Sequence, residues 1–158
     1  MQFATAGSEY GGPRTIVGLD VTNVGSDMGS VTPMLKDIED RTGQLPVLLL
    51  ADANHAKHEC IEAATRAGVI LLIAVPERER DATTPVSPEV TARRKRMETE
   101  EAKYAYRSRH GVCKPYNTHF KSHHGIAPVS VRLAKVKCVA FLGAINANIL
   151  ANAALLFA

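Results

Sequence analysis

An α/β fold is the class this sequence predicts, and three stretches carry that expectation. Residues 45–75, LPVLLLADANHAKHECIEAATRAGVILLIAV, pass from an apolar run through a helix-like segment into a second apolar run. Strand, helix and strand within about thirty residues make a βαβ unit, whose two strands should be parallel. TIVGLDVTNVG alternates, with Val17, Leu19 and Val21 on one face and Ile16, Asp20 and Thr22 on the other, as a strand with one buried face would. In SVTPMLKDIEDRTG the apolar residues Val31, Met34, Leu35 and Ile38 follow the i, i+3, i+4, i+7 spacing of one helical face.

The elements follow in chain order. Residues 1–14 read as an N-terminal tail ahead of the first strand. Ser30 is placed to cap the helix that follows, Pro33 is tolerable in its first turn, and Gly43 ends it. Val47 to Ala51 is apolar without alternation, which predicts a strand covered on both faces. The next helix should begin at His55 or Ala56, run to Ala67 and stop at Gly68, and Val69 to Val75 is the second buried strand. Residues 76–90, rich in proline and charge, read as an exposed loop or insertion. VTARRKRMETEEAKYAYRSRHG reads as a charged helix, followed by a polar, histidine-rich segment. The last stretch holds 21 residues, Cys138 to Ala158, without a charge. Its length permits a membrane span. Asn146, Asn148, Asn152 and many alanines argue instead for a buried core helix, so no membrane partner is expected.

At 158 residues the chain is one domain's worth. An apolar fraction of 46% excludes disorder throughout. Cys60, Cys113 and Cys138 form no CxxC pair, which fits a reducing compartment and gives no disulfide framework. The opening MQFATAGSEYGGPRT has neither a basic start nor an apolar core, so a cytoplasmic location is expected. Charge is uneven: residues 1–92 hold 7 Lys and Arg against 13 Asp and Glu, net −6, while residues 93–158 hold 12 against 3, net +9. That asymmetry points to a polyanion such as DNA, although the aromatic content is too low for a base-stacking platform.

Asp52 is the first polar residue after the strand at 47–51, and open α/β sheets gather functional groups at the carboxyl ends of their strands. A turn or cap role would place an aspartate there equally well. His55 and His58 stand at i, i+3, with no third ligand at a zinc spacing. Arg93, Arg94, Lys95 and Arg96 are contiguous, so a helix spreads them around its circumference, as phosphate contacts or as a solubilising surface.

Taken together, IVGLDVTNVGSDMGSVTPMLKDIEDRTGQLPVLLLADANHAKHECIEAATRAGV resembles the catalytic core of insertion-sequence transposases of the DDE type. The likeness continues through RMETEEAKYAYRSRHG and LAKVKC, covering about residues 15–150. It implies a ribonuclease-H-like fold, a mixed sheet flanked by helices, with residues 1–158 as a single, partial catalytic domain. It also implies DNA transposition chemistry, in which three acids hold two Mg²⁺ ions for an in-line displacement at phosphorus. Carried over residue by residue, Asp52 matches the second acid and is the expected metal ligand. Tyr106 and Arg109 match the Tyr and Arg of the family's helical signature, and Lys121 its Lys. With Arg132 and Lys135, these are the expected DNA-binding residues.

Two departures follow. The third-acid position is occupied by Lys114, whose ammonium has no lone pair for Mg²⁺. The first acid has no counterpart, since Asp20 does not match it, so the expectation is an N-terminally truncated, catalytically degenerate copy. Glu100 and Glu101 could take the third role only with a helix shift of about two turns or more. The expected partners are DNA, further copies of the chain, and a full-length transposase that it could modulate as a nonspecific DNA-binding module.

Overall fold

The computed structural model describes residues 1–7, 14–23, 25–80, 85–123 and 133–157; the side chains at 78, 80, 110 and 113–123 lie outside that description. In chain order the elements are β1 (Gln2–Ala6), β2 (Thr15–Asp20), α1 (Val31–Thr42), β3 (Leu48–Ala51), α2 (His58–Arg66), β4 (Ile70–Ile73), α3 (Glu77–Arg80), α4 (Pro88–Glu98), α5 (Glu100–His123), α6 (Leu133–Ala151) and α7 (Ala153–Leu156). The architecture is mixed α/β. Its two small sheets are an antiparallel pair, β1–β2, and a parallel pair, β3–β4. The chain divides into two units, Gly25–Ser108 and Met1–Val24 with Arg109–Ala158.

Gly25–Ser108 is built on the βαβ unit. β3 and β4 run parallel, from Leu48 opposite Ile70 to Ala51 opposite Ile73, joined by α2. All four apolar positions of α1 are buried, as their spacing predicts. Gly43 ends α1 at φ 74°, donating its N–H to Glu39 O, and Gly68 follows α2 at φ 82°. Both sit in the left-handed region that glycine enters without a Cβ penalty. One core joins Val31 and Leu35 of α1, Cys60, Ile61 and Ala64 of α2, Val69, Leu71 and Ile73 at β4, and Val90 of α4. Leu49 and Ala51 of β3 pack against it, while Leu48 is exposed. The strand at β3 is therefore not covered on both faces as its composition suggests. Alternate residues reach the core, and in the described residues its only ladder partner is β4.

Residues 76–90 are more structured than an exposed loop. Glu77–Arg80 is helical, and α4 begins at Pro88, with Ser87 Oγ accepting from Val90 N–H at 3.5 Å. Serine at the cap and proline in the first turn suit a helix start. Residues 81–84 lie outside the described residues. Thr99, in extended conformation, separates α4 from α5, so the charged stretch read as one helix is two.

In the other unit, residues 2–6, read as part of a tail, form β1 and pair with β2. Phe3 opposes Leu19 and Thr5 opposes Ile16, with the register slipping between Ala4 and Thr5. Phe3 and Thr5 share a face of β1 by the two-residue period, so Ile16 and Leu19 share a face of β2. The bulge accordingly moves Ile16, rather than Val17, onto the buried side, which corrects the simple alternation. That face packs on α6: Ile16 with Ala144 and Ala147, and Leu19 with Val21 and Ala140, both clusters touching Phe3.

α6 is not the buried core helix expected from its composition. Its buried residues are Ala140, Gly143, Ala144 and Ala147, and only 22% of its most apolar window is buried. Among the described residues it is the one helix long and apolar enough to cross a membrane. Asn146 is exposed, while Asn148 and, just past the helix end, Asn152 bond to β2. Asn148 Oδ1 accepts from Ile16 N–H at 2.7 Å, and Asn148 Nδ2 donates to Ile16 O at 2.9 Å. Asn152 Nδ2 donates to Thr15 Oγ1 at 3.3 Å and to Asn148 O at 2.8 Å.

Candidate functional site

The carboxyl ends of β3 and β4 are where a parallel pair presents its loops. β3 ends at Ala51 and the chain leaves it in extended conformation through Asp52. A 3₁₀ turn, Ala53–His55, follows, closed by His55 N–H donating to Asp52 O at 2.9 Å. Asp52 is exposed, and its carboxylate does not cap that turn.

His55 is half-buried, with Nδ1 2.6 Å from Ser30 Oγ. Ser30 Oγ is also 2.8 Å from Asp27 O, so the hydroxyl bridges that carbonyl and the His55 ring. Ser30 thus ties the start of α1 to the turn after β3 and does not cap α1 through its side chain. His58 opens α2 beyond the turn, so the two histidines do not share a helical face.

At the end of β4 stands a group that composition did not reveal. Arg93 of α4 is 1% exposed. Its Nη1 donates to Ile73 O and Ala74 O, each at 3.3 Å, and its Nη2 to Glu79 Oε2 at 2.8 Å. The same carboxylate oxygen is 3.7 Å from Arg94 Nη2 and 3.8 Å from His58 Nε2. Burial pulls the Arg93 guanidinium below its ordinary pKa, while the hydrogen bond and charge of Glu79 pull it up. Arg93 therefore caps the carbonyls at the strand end instead of projecting toward a phosphate, and Glu79 neutralises it. The single contrary signal in the sequence is Glu79 itself, an acid among charges read as a loop, which identifies no partner.

The remaining candidates are placed as follows. Tyr106 and Arg109 are half-buried on α5, and Lys135 is exposed near the start of α6. Lys114 and Lys121 fall on the backbone of α5, seven residues apart and so on one side of the helix. Their side chains, and all of Arg132, lie outside the described residues. Glu100 and Glu101 are exposed in the first turn of α5. A hydrogen bond from Lys103, with its charge, holds the Glu100 carboxyl below the usual carboxylate range.

Two divalent ions about 4 Å apart need several converging carboxylates. Among the described residues no three His, Cys, Asp or Glu side chains come together to hold a metal ion. Asp52 by itself does not fit a two-metal site, and no cleavage step is assigned to it. Comparison with protein-family models, with curated proteins and with solved structures finds no match to this chain.

Proposed function

We propose that this chain is a transposase-like protein that binds duplex DNA without cutting it: a degenerate relative of the DDE enzymes that keeps one of their three acids. The observation that carries this reading is the place of Asp52, exposed at the carboxyl end of β3 in a parallel βαβ frame. That is where the second acid belongs in the resemblance drawn from the sequence. The ribonuclease-H-like fold is part of the same proposal. The parallel βαβ unit is what supports it; the antiparallel pair is a separate sheet.

The basic half supports the binding side of the reading. Lys135 and Lys137 are exposed at the start of α6, and residues 93–158 carry net +9, with 12 basic against 3 acidic residues. Lys114 in the third-acid position withholds the carboxylate that Mg²⁺ would need. The chain would act in the cytoplasm and modulate a full-length transposase by competing for DNA.

The test measures binding to a labelled duplex across a salt series, alongside strand cleavage and transfer with Mg²⁺ or Mn²⁺. Sequence-independent binding should weaken steeply with salt, and the triple variant Arg109→Ala, Lys121→Ala, Lys135→Ala should flatten that dependence by about one ion per lost phosphate contact. Binding indifferent to salt and to those changes would exclude the DNA reading. Cleavage abolished by Asp52→Ala would overturn the inactive one.

A further inference from the structure

We propose that the Glu79 carboxylate fills an oxyanion site at the end of β4, and that a terminal phosphate group competes with it for Arg94 and His58. Arg93 Nη2 donates to Glu79 Oε2 at 2.8 Å. Arg94 Nη2 lies 3.7 Å and His58 Nε2 3.8 Å from the same oxygen, both beyond hydrogen-bond reach. Three basic side chains, one opening α2 and two on α4, thus surround one carboxylate, and one of them is hydrogen-bonded to it. The cluster is partly open to solvent: the side chains of His58, Arg94 and Glu79 are 41%, 19% and 13% exposed. It stands at the carboxyl end of a parallel strand, where α/β folds present their ligands.

The donors outnumber what the carboxylate accepts. Arg93 Nε and Arg94 Nε are both buried, and neither has an acceptor among the described residues. A buried N–H without a partner is costly, so such a pair of orphans calls for more acceptor oxygens. Arg93 uses its Nη1 on the carbonyls of Ile73 and Ala74, which makes it the fixed floor of the site. Arg94 has no such duty; Glu79 is its one ion-pair partner among the described residues. Charge agrees with the donor count. Two guanidiniums against one carboxylate leave net +1 even with His58 neutral. The next acids along α2, Glu59 and Glu62, pair with Lys57 and Arg66 instead.

A terminal phosphate fits these donors better than a second carboxylate would. It brings more acceptor oxygens and, near neutral pH, more negative charge. A guanidinium fork takes two of those oxygens at once. Glu79 has one advantage over it, that of belonging to the same chain. It sits on α3, in the connection between β4 and α4, and so holds the site at high effective concentration. Glu79 is thereby an internal plug, and removing its charge frees the site for a phosphate from solution. Inorganic phosphate and the 5′-phosphate of a DNA end present the same oxyanion, so the site does not depend on the binding of duplex DNA.

Thermal unfolding of the full chain in inorganic phosphate, with chloride at matched ionic strength as the control, tests the proposal. Phosphate should raise Tm above the chloride value in a saturable way. Glu79→Gln should bind phosphate at least about 10-fold more tightly than the parent, and Arg94→Ala at least about 10-fold more weakly. Arg94→Lys should not restore the parent affinity, because it keeps the charge and loses the fork. If Glu79→Gln does not fold, Arg94→Ala and Arg94→Lys give the reading in a chain that keeps Glu79. A duplex with 5′-phosphates, set against the same duplex without them, identifies the source. A preference that disappears in Arg94→Ala places the phosphate on a DNA end; phosphate binding without that preference makes it a free phosphate or small phosphomonoester. Equal shifts in phosphate and chloride, a folded Glu79→Gln chain that binds phosphate no better than the parent, or an Arg94→Ala chain that binds it as well would each overturn the site and leave Glu79 a structural counter-ion alone.

Discussion

In Gly25–Ser108 the inward side chains are large: Val31, Leu35, Ile61, Leu71, Ile73 and Val90 meet in one core. In the other unit they are mostly small where helix meets sheet, with Ala140, Ala144 and Ala147 on Ile16, Leu19 and Val21. Val136 and Phe141 border that contact, and Leu142, Ile145 and Ile149 face away from it. Apolar burial stabilises roughly in proportion to area removed from water, so the two regions draw on different sources of stability. The first is closed by its own aliphatic core and one buried ion pair. The second depends on close approach of a small-residue helix and on asparagine amides that hold a strand.

The largest effect expected falls on the ion pair. Arg93→Ala removes the partner of Glu79, whose side chain is 13% exposed, and strips a donor from the carbonyls of Ile73 and Ala74. Breaking a buried pair from one side typically costs about 3–5 kcal/mol. Urea unfolding followed by hydrogen exchange in β4 should show that loss. Replacing both members, Arg93→Met with Glu79→Gln, should recover much of it, because no uncompensated charge remains. A loss under about 1 kcal/mol for Arg93→Ala would mean that the pair does not hold the strand end.

Next comes a paired truncation across the two regions. Ile61→Ala empties a fully buried position and should cost about 2–5 kcal/mol. Leu142→Ala removes more carbons than many core changes do. Yet Leu142 is 62% exposed, so its truncation should stay within about 0.5 kcal/mol of the parent. Equal losses in urea unfolding would erase the contrast between an inward and an outward apolar face.

What the sequence made legible follows from where contrast was available. α1 alternates apolar and polar residues at helical spacing, and its four predicted core positions are the four that are buried. Gly43 and Gly68 marked helix ends because their left-handed conformations favour glycine. α6 offered no such contrast, being apolar on nearly every side, so the pattern did not mark which face meets the hairpin. The bulge at Val17 depends on β1, a strand in residues read as a tail. Arg93 looked like surface charge because Glu79, Ile73 and Ala74 are 14 to 20 residues away, a separation no local pattern reports. Of the candidate site, Asp52 stands at the strand end where the apolar run placed it. His55 and His58 do not share a helix, because the turn after Asp52 comes between them.

A smaller loss than either core change tests the second region most directly. Asn148 presents its carboxamide to the backbone of Ile16 as a neighbouring strand would, accepting from the N–H and donating to the carbonyl. Both contacts are partly buried, so Asn148→Ala leaves two backbone groups short of partners, at about 1–3 kcal/mol. Alanine's better helix propensity returns roughly 0.5 kcal/mol, leaving a net loss of about 1–2 kcal/mol. Asn148→Asp keeps the shape and the acceptor but turns a carboxylate oxygen toward Ile16 O, and should cost at least as much as alanine at neutral pH. Hydrogen exchange at Ile16 separates this from a general loosening. Its amide should lose protection in both variants, while the amides of β3 and β4 keep theirs. If Asn148→Ala leaves Ile16 protected, the strand edge is held by the small-residue contact alone, and the two regions differ only in the size of what they bury.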